Sequence, residues 1–238
     1  MINPEDLRKL IDNAIKNKTD LNQLDSEGKA FIHNAAAQGL LIIVAGLLFF
    51  GAKVDQADKD GRSALTFAAL SGRLVVVQKL LEVRATVDQV DKNGATALMY
   101  AAQKGHLSVV KKLIETRATV DQADKNGSTA LMTAVKNGHL DIVAKLIEAR
   151  ATVDQADRFG STALMSAAQK GHLSVVKKLI EVRATVDLVN NDGVTALMAA
   201  AQNGHLDLVD LLINKGAKVD LAENKFGATA LMYAAQKG

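Results

Sequence analysis

The chain has 238 residues, with 29 Lys and Arg against 26 Asp and Glu and a formal net charge of +3, too balanced for a protein that binds nucleic acid by neutralising phosphates. With no Cys there is no disulfide, thiolate nucleophile or Cys-ligated zinc. Hydrophobic residues make up 48% but aromatics only 3%, without Trp, so the core must be built from Ala, Leu, Ile and Val.

The N-terminal MINPEDLRKL contains no apolar signal-peptide core. Asn3 is a helix cap, Pro4 suits the first helical position, and Glu5 and Asp6 meet the positive helix end. Leu7, Leu10, Ile11, Ala14 and Ile15 then follow helical spacing. These signals predict a capping helix to about residue 16, within a half repeat over residues 1–24. The longest apolar run, residues 40–50 (LLIIVAGLLFF), is about half of the ~20 residues that cross a bilayer. The sequence therefore predicts a soluble, cytoplasmic chain with no membrane partner.

Glycines then mark a period. Gly28, Gly61, Gly94, Gly127, Gly160 and Gly193 are each 33 residues apart, and Gly227 follows after 34, placing one extra residue within residues 221–226. A second series, Gly39, Gly72, Gly105, Gly138, Gly171, Gly204 and Gly238, keeps the same beat. Within one period, Asp91-Lys92-Asn93-Gly94 predicts a tight turn. A first helix is predicted from about Thr96 to Lys104, ended by Gly105. A second runs from about Leu107 to Thr116, with Leu107, Val110, Leu113 and Ile114 on its apolar face. An extended segment over residues 118–123 leads to the next turn. Helices this short cannot bury an apolar face alone, so successive units must stack. Six repeats are expected over residues 25–222, with a seventh over residues 223–238 reduced to its first helix. An end without a polar second helix is expected to belong to a longer protein or to be covered.

The strings TALMYAAQKGH (residues 96–106), TALMTAVKNGH (129–139), TALMSAAQKGH (162–172) and TALMAAAQNGH (195–205) follow the pattern TPLHxAAxxGH, and the unit resembles an ankyrin repeat. The resemblance implies an all-α repeat solenoid of antiparallel helix pairs joined by projecting β-hairpin loops. It also implies that the first helices line a concave binding side, that the chain is a non-catalytic protein–protein interaction scaffold or adaptor, and that it needs no cofactor. Three departures stand out. Ala replaces the family's Pro throughout. Met replaces the signature His in five units, leaving only His33. Arg84, Arg117, Arg150 and Arg183 stand where Gly51 and Gly216 keep the Gly that comes after the second helix. Held in the left-handed region, each Arg costs on the order of 1 kcal/mol relative to Gly. The Arg set reads as one substitution copied with the repeat, as a ladder facing an acidic partner, or as a changed turn.

His106, His139, His172 and His205 recur one repeat apart. Stacked helices lie ~8–10 Å apart, whereas Zn–N bonds are ~2.0–2.1 Å, so these side chains cannot share a metal and are expected to bond backbone. Asp88, Asp121, Asp154 and Asp187, with Asp91, Asp124 and Asp157, recur in the same way and read as turn braces. No phosphate loop, HExxH pair or GxSxG elbow occurs. No enzyme, metal site or cofactor is expected.

Comparing the repeats with one another separates scaffold from face. The most variable column contains Phe67, Tyr100, Thr133, Ser166 and Tyr233. Three and four positions on come Gln103, Lys104, Lys136, Asn137 and Lys170, on the same helix face. At the turn tips Asn93, Phe159 and Phe226 vary, beside Lys92, Lys125 and Arg158. Of two Tyr and six Phe, five fall in these columns, which predicts aromatic anchors on a basic face suited to an acidic partner. A second candidate interface is the uncharged outer face of residues 40–50, with Ile42 and Phe49. That face and the C-terminal end offer a route to self-association. The long internal copies also fit an engineered binding scaffold.

Overall fold

The turn at residues 91–95 shows how a repeat is closed. In the computed structural model, which describes residues 20–237 and, before them, only Glu5, Lys9, Asp12 and Lys16, the Asp91 N–H donates to the Ala95 carbonyl at 3.0 Å. The Ala95 N–H, which a hairpin would pair with backbone, donates instead to Asp91 Oδ1 at 2.9 Å, and the Asn93 N–H donates to the same oxygen at 2.7 Å. The carboxylate replaces a ladder rung. The hairpin loops implied by the resemblance are accordingly turns: among the described residues the one β-bridge is the isolated pair Ala222 and Thr229. Residues 118–123, expected to be extended, are interrupted by a turn.

The described chain divides into two compact units, Met1–Lys125 and Asn126–Gly238. The first contains three helix pairs: α1 (Phe31–Gln38) with α2 (Leu41–Phe49), α3 (Ala64–Leu70) with α4 (Leu74–Glu82), and α5 (Ala97–Lys104) with α6 (Leu107–Glu115). The first helices pack α1 on α3 on α5, and the second helices α2 on α4 on α6. In the second unit the pairs are α7 (Ala130–Lys136) with α8 (Leu140–Glu148), α9 (Ala163–Lys170) with α10 (Leu173–Glu181), and α11 (Ala196–Gln202) with α12 (Leu206–Asn214), followed by α13 (Ala230–Lys237). There α7, α9, α11 and α13 form one layer and α8, α10 and α12 the other. This is an all-α repeat solenoid of stacked helix pairs. Most of the predicted terminal helix, including Asn3 and Pro4, and the final residue Gly238 lie outside the described residues.

The first helices α5, α7, α9 and α11 each start one residue after a Thr because that Thr is the cap, as Ser63 is for α3. Thr96 Oγ1 accepts from the Met99 N–H at 3.3 Å, and Thr129, Thr162 and Thr195 do the same for the Met three residues on. A hydroxyl cap is worth about 1 kcal/mol. Ala97, Ala101 and Ala102 are fully buried, and these small side chains let first helices of neighbouring repeats approach closely. The second helix buries Val109, Val110 and Leu113, while Leu107 and Ile114 are half-buried. The apolar stripe is therefore turned slightly from the predicted one. Complete burial of a side chain such as Leu113 contributes about 1.5–3 kcal/mol.

The helix exits are closed by Schellman motifs. The Ala85 N–H reaches the Leu80 carbonyl at 2.9 Å and the Arg84 N–H the Leu81 carbonyl at 3.0 Å, which places residue 84 in the left-handed region. Arg84, Arg117, Arg150 and Arg183 have φ of 65°, 65°, 66° and 67°, matching the role of Gly51 and Gly216 at 94° and 87°. The turn has not changed; Arg occupies it under strain.

The extra residue of the last turn lies between Glu223 and Gly227, and it comes with a longer side chain. Glu223 stands where other repeats have Asp or Asn. Its Oε1 accepts from Phe226 and Ala228 N–H groups and its Oε2 from Lys225 N–H. One added methylene spans one added residue. The bonds from Lys225, Phe226 and Ala228 outweigh desolvation and hold this carboxyl below its ordinary pKa.

Candidate functional site

Neighbouring turns are tied at their tips by single backbone bonds. The Lys92 N–H donates to the Asp60 carbonyl and the Lys125 N–H to the Asn93 carbonyl, each at 2.8 Å, in the first unit. Arg158 to Asn126 and Asn191 to Phe159 repeat the link in the second. This closeness explains the turn glycine: a Cβ at Gly127, where φ is +78°, would sit 2.8 Å from the Arg158 nitrogen. The tips therefore form an ordered row within each unit, with side chains directed outward. Lys92, Asn93, Lys125, Arg158, Phe159 and Phe226 are all exposed.

The other recurrent polar residues hold repeats together. Asp55 accepts from the Thr86 N–H and hydroxyl, Asp88 from those of Thr119, and Asp154 from those of Thr185. The Asp88 column thus braces one repeat against the next, whereas Asp91 and Asp157 close their own turns. Imidazole Nε2 groups of His106, His172 and His205 bond the carbonyls of Leu70, Lys136 and Gln169, one repeat back. These rings do bond backbone, but across the repeat interface rather than at their own inter-helix turn. Among the described residues no His, Asp and Glu group could hold a metal ion.

The variable column divides by environment. Phe67 is only 7% exposed, which corrects the expectation of an exposed anchor there. Its ring packs 5.3 Å from the fully buried His33 ring and beneath the Arg62 guanidinium, 4.9 Å from the centroid. Arg62 in turn donates to Asp58 at 2.8 and 3.0 Å and to Asp60 at 2.8 Å. Burial pushes the Asp58 carboxyl up, but bonds from Arg62 and the Asp60 N–H bring it below its usual value. The same burial lowers Arg62, yet Asp58 and Asp60 raise it overall. Tyr100 is half-buried and its hydroxyl donates to Asp91 Oδ2 at 2.6 Å. Burial, followed by Asp91, pushes its pKa up to about 12. This ring is also tied into the scaffold.

Thr133 is half-buried and donates to the Thr129 carbonyl at 2.8 Å. Ser166 and Tyr233 are half-buried as well. Gln103, Lys104, Lys136, Asn137 and Lys170 are exposed at the C-terminal ends of the first helices, Asn137 donating to the Thr133 carbonyl. Of the aromatics in the variable columns, the open ones are at the tips. Phe159 is 56% exposed beside Arg158, whose guanidinium lies 5.0 Å from the ring centroid, and Phe226 is 78% exposed beside Lys225 at 4.8 Å. Lys225 and Lys59 were absent from the predicted set, although both belong to its column of tip cations.

The second candidate interface is open too. Ile42 and Phe49 on α2 are 86% and 84% exposed, with Phe50 edge-on to Phe49 at 5.2 Å. No helix of the described chain is long and apolar enough to cross a membrane.

The family model described as Ankyrin repeats (3 copies) matches residues 3–91, 32–124, 74–157, 117–190 and 164–238. The solved structure of the human ASB11 ankyrin repeat domain is similar with a TM-score of 0.81 and 31% identity, over 88% of this chain and 94% of that one. Comparison with curated protein sequences returned no match. Matches over most of its length, with the repeat geometry above, show that the chain belongs to the ankyrin-repeat family.

Proposed function

We propose that this chain binds an acidic protein partner through its turn tips and the exposed ends of its first helices. Ankyrin domains generally act as protein–protein interaction scaffolds and are typically non-catalytic. The observation that carries the finer reading is the exposure of Phe159 and Phe226 in a chain otherwise short of aromatics. Exposed rings beside cations supply contact area at low entropic cost. Lys92, Lys104, Lys125, Lys136 and Lys170 give the same surfaces a positive charge. A photo-crosslinking residue at position 159 should capture a protein that the same residue at position 111, on the second-helix layer, does not. Equal capture from both positions would defeat the reading.

A second reading, self-association through α2, is favoured by the exposure of Ile42, Phe49 and Phe50. Sedimentation that stays monomeric at high concentration, unchanged by Phe49→Lys, would remove it.

A further inference from the structure

The tip cations of the first unit recur once per repeat, on turns tied to one another by backbone bonds. Lys59, Lys92 and Lys125 are exposed, and their backbone N–H groups are fixed to the carbonyls of Gly28, Asp60 and Asn93. In the same turns Asp58 and Asp91 are buried, with their carboxylates turned inward to backbone, Arg62 and Tyr100. The Lys92 turn thus carries its negative charge inside and its positive charge outside, whereas in the Lys59 turn the half-exposed Asp60 is taken up by Arg62. None of the three lysines has an ion-pair partner among the described residues, whereas Lys79, Lys112, Lys145 and Lys178 on the second helices each pair with a Glu. In the second unit Arg158 and Lys225 lie against Phe rings instead. The row of open ammonium groups belongs to the first unit.

Successive turns follow the stacked helices, about 8–10 Å apart. A chain matching this row must return a carboxylate to one side at that interval. In a β-strand, residues on one side recur every ~6.6 Å, and the third residue, at ~10 Å, points the other way. An α-helix returns to the same side after seven residues, ~10.5 Å, but meeting three lysines would take about fifteen residues, a length marginal for an isolated helix. Polyproline II has three residues per turn and a rise of ~3.1 Å, so every third side chain lies on one side ~9.3 Å from the last. Seven residues then meet all three lysines in a conformation populated before binding.

We infer that Lys59, Lys92 and Lys125 form a ridge that binds an acidic segment in the polyproline II conformation, with Asp or Glu at every third position. The inference rests on the protein-binding reading above and names the chemistry of the partner. The test is fluorescence anisotropy of the full 238-residue protein with two labelled peptides of identical Glu, Pro and Ala composition, at low ionic strength where exposed charges are least screened. In one peptide Glu recurs every third residue; in the other the Glu residues are contiguous. The periodic peptide should bind about tenfold tighter. Lys92→Glu should remove that advantage, whereas Lys111→Glu, the same charge change on α6, should leave it. Both side chains are exposed, and an unchanged circular dichroism melt verifies the fold of each variant.

Equal affinity for the two peptides overturns the polyproline II register, and Lys111→Glu acting as strongly as Lys92→Glu overturns the ridge. Tighter binding of a single-stranded RNA oligonucleotide than of either peptide overturns the assignment to protein. Crosslinking through position 159 is independent of all three results, so it separates failure of the ridge from failure of the broader reading.

Discussion

The Tyr100 hydroxyl donates to Asp91 Oδ2 at 2.6 Å, while Asp91 Oδ1 accepts from the Asn93 and Ala95 N–H groups. One carboxylate therefore closes a turn and fastens the first helix to it. Loss of the hydroxyl in Tyr100→Phe should destabilise the chain by about 1.5–3 kcal/mol, the range for a hydrogen bond to a charged group, read from the denaturant midpoint. The phenol pKa is raised to about 12. A raised value in an acid stabilises the protonated fold, so this contribution is complete below the ordinary tyrosine value of about 10. It should be lost as pH rises from there through about 12. Absorbance titration of Tyr233→Phe, which leaves Tyr100 as the sole tyrosine, checks the phenol directly.

Arg84, Arg117, Arg150 and Arg183 hold φ near 65° with exposed side chains. Glycine accepts this conformation freely. Each single Arg→Gly variant should raise stability by on the order of 1 kcal/mol, less any favourable interaction of the guanidinium with the helix C-terminus. The four sites are a repeat or more apart, so a quadruple variant should accumulate most of the gain. Chemical denaturation of the singles and the quadruple measures it.

His33 is fully buried, its Nδ1 accepting from the Ala30 N–H at 2.9 Å and its Nε2 donating to the Gln56 carbonyl at 2.7 Å. Only a neutral imidazole can do both. Burial lowers its pKa, against opposing contributions from Gln56 and Asp58. Below about pH 6.5 the unfolded chain therefore binds the proton that the folded chain excludes. Stability contributed by this ring should be present above that pH and decline as pH falls through the lowered folded value. His33→Met, which installs the residue of the central repeats, should flatten the slope in pH-dependent denaturation.

The family, the helix pairs and their approximate limits were legible because Gly94 and Gly105 recur on a fixed beat, whereas the role of Thr96 as the cap that moves the helix start to Ala97 came from the structure. The Arg strain was legible too, since Gly51 and Gly216 revealed what the position requires. The environments of Phe67 and Tyr100 were not. Variation in a column shows only that no single side chain is demanded there, and Phe67 and Tyr100 satisfy different local partners, His33 with Arg62 and Asp91. The hairpin ladder also failed to form for a local reason, because the Asp91 carboxylate captures the N–H that would have begun it. At the tips, by contrast, nothing local uses Phe159 beyond its own Arg158, and variation there stays with exposure.

The central claim is that the tips recognise the partner while the Phe67 and Tyr100 positions hold the repeat. Its most direct test compares two variants by thermal melting and by titration with the protein crosslinked from position 159. The double variant Phe159→Ser, Phe226→Ser should melt as the parent does and lose affinity by at least about tenfold. Phe67→Ala should lose about 3–5 kcal/mol of stability and bind as the parent does at a temperature where it remains folded. Full affinity in the tip variant, or lost affinity in folded Phe67→Ala, would contradict the account.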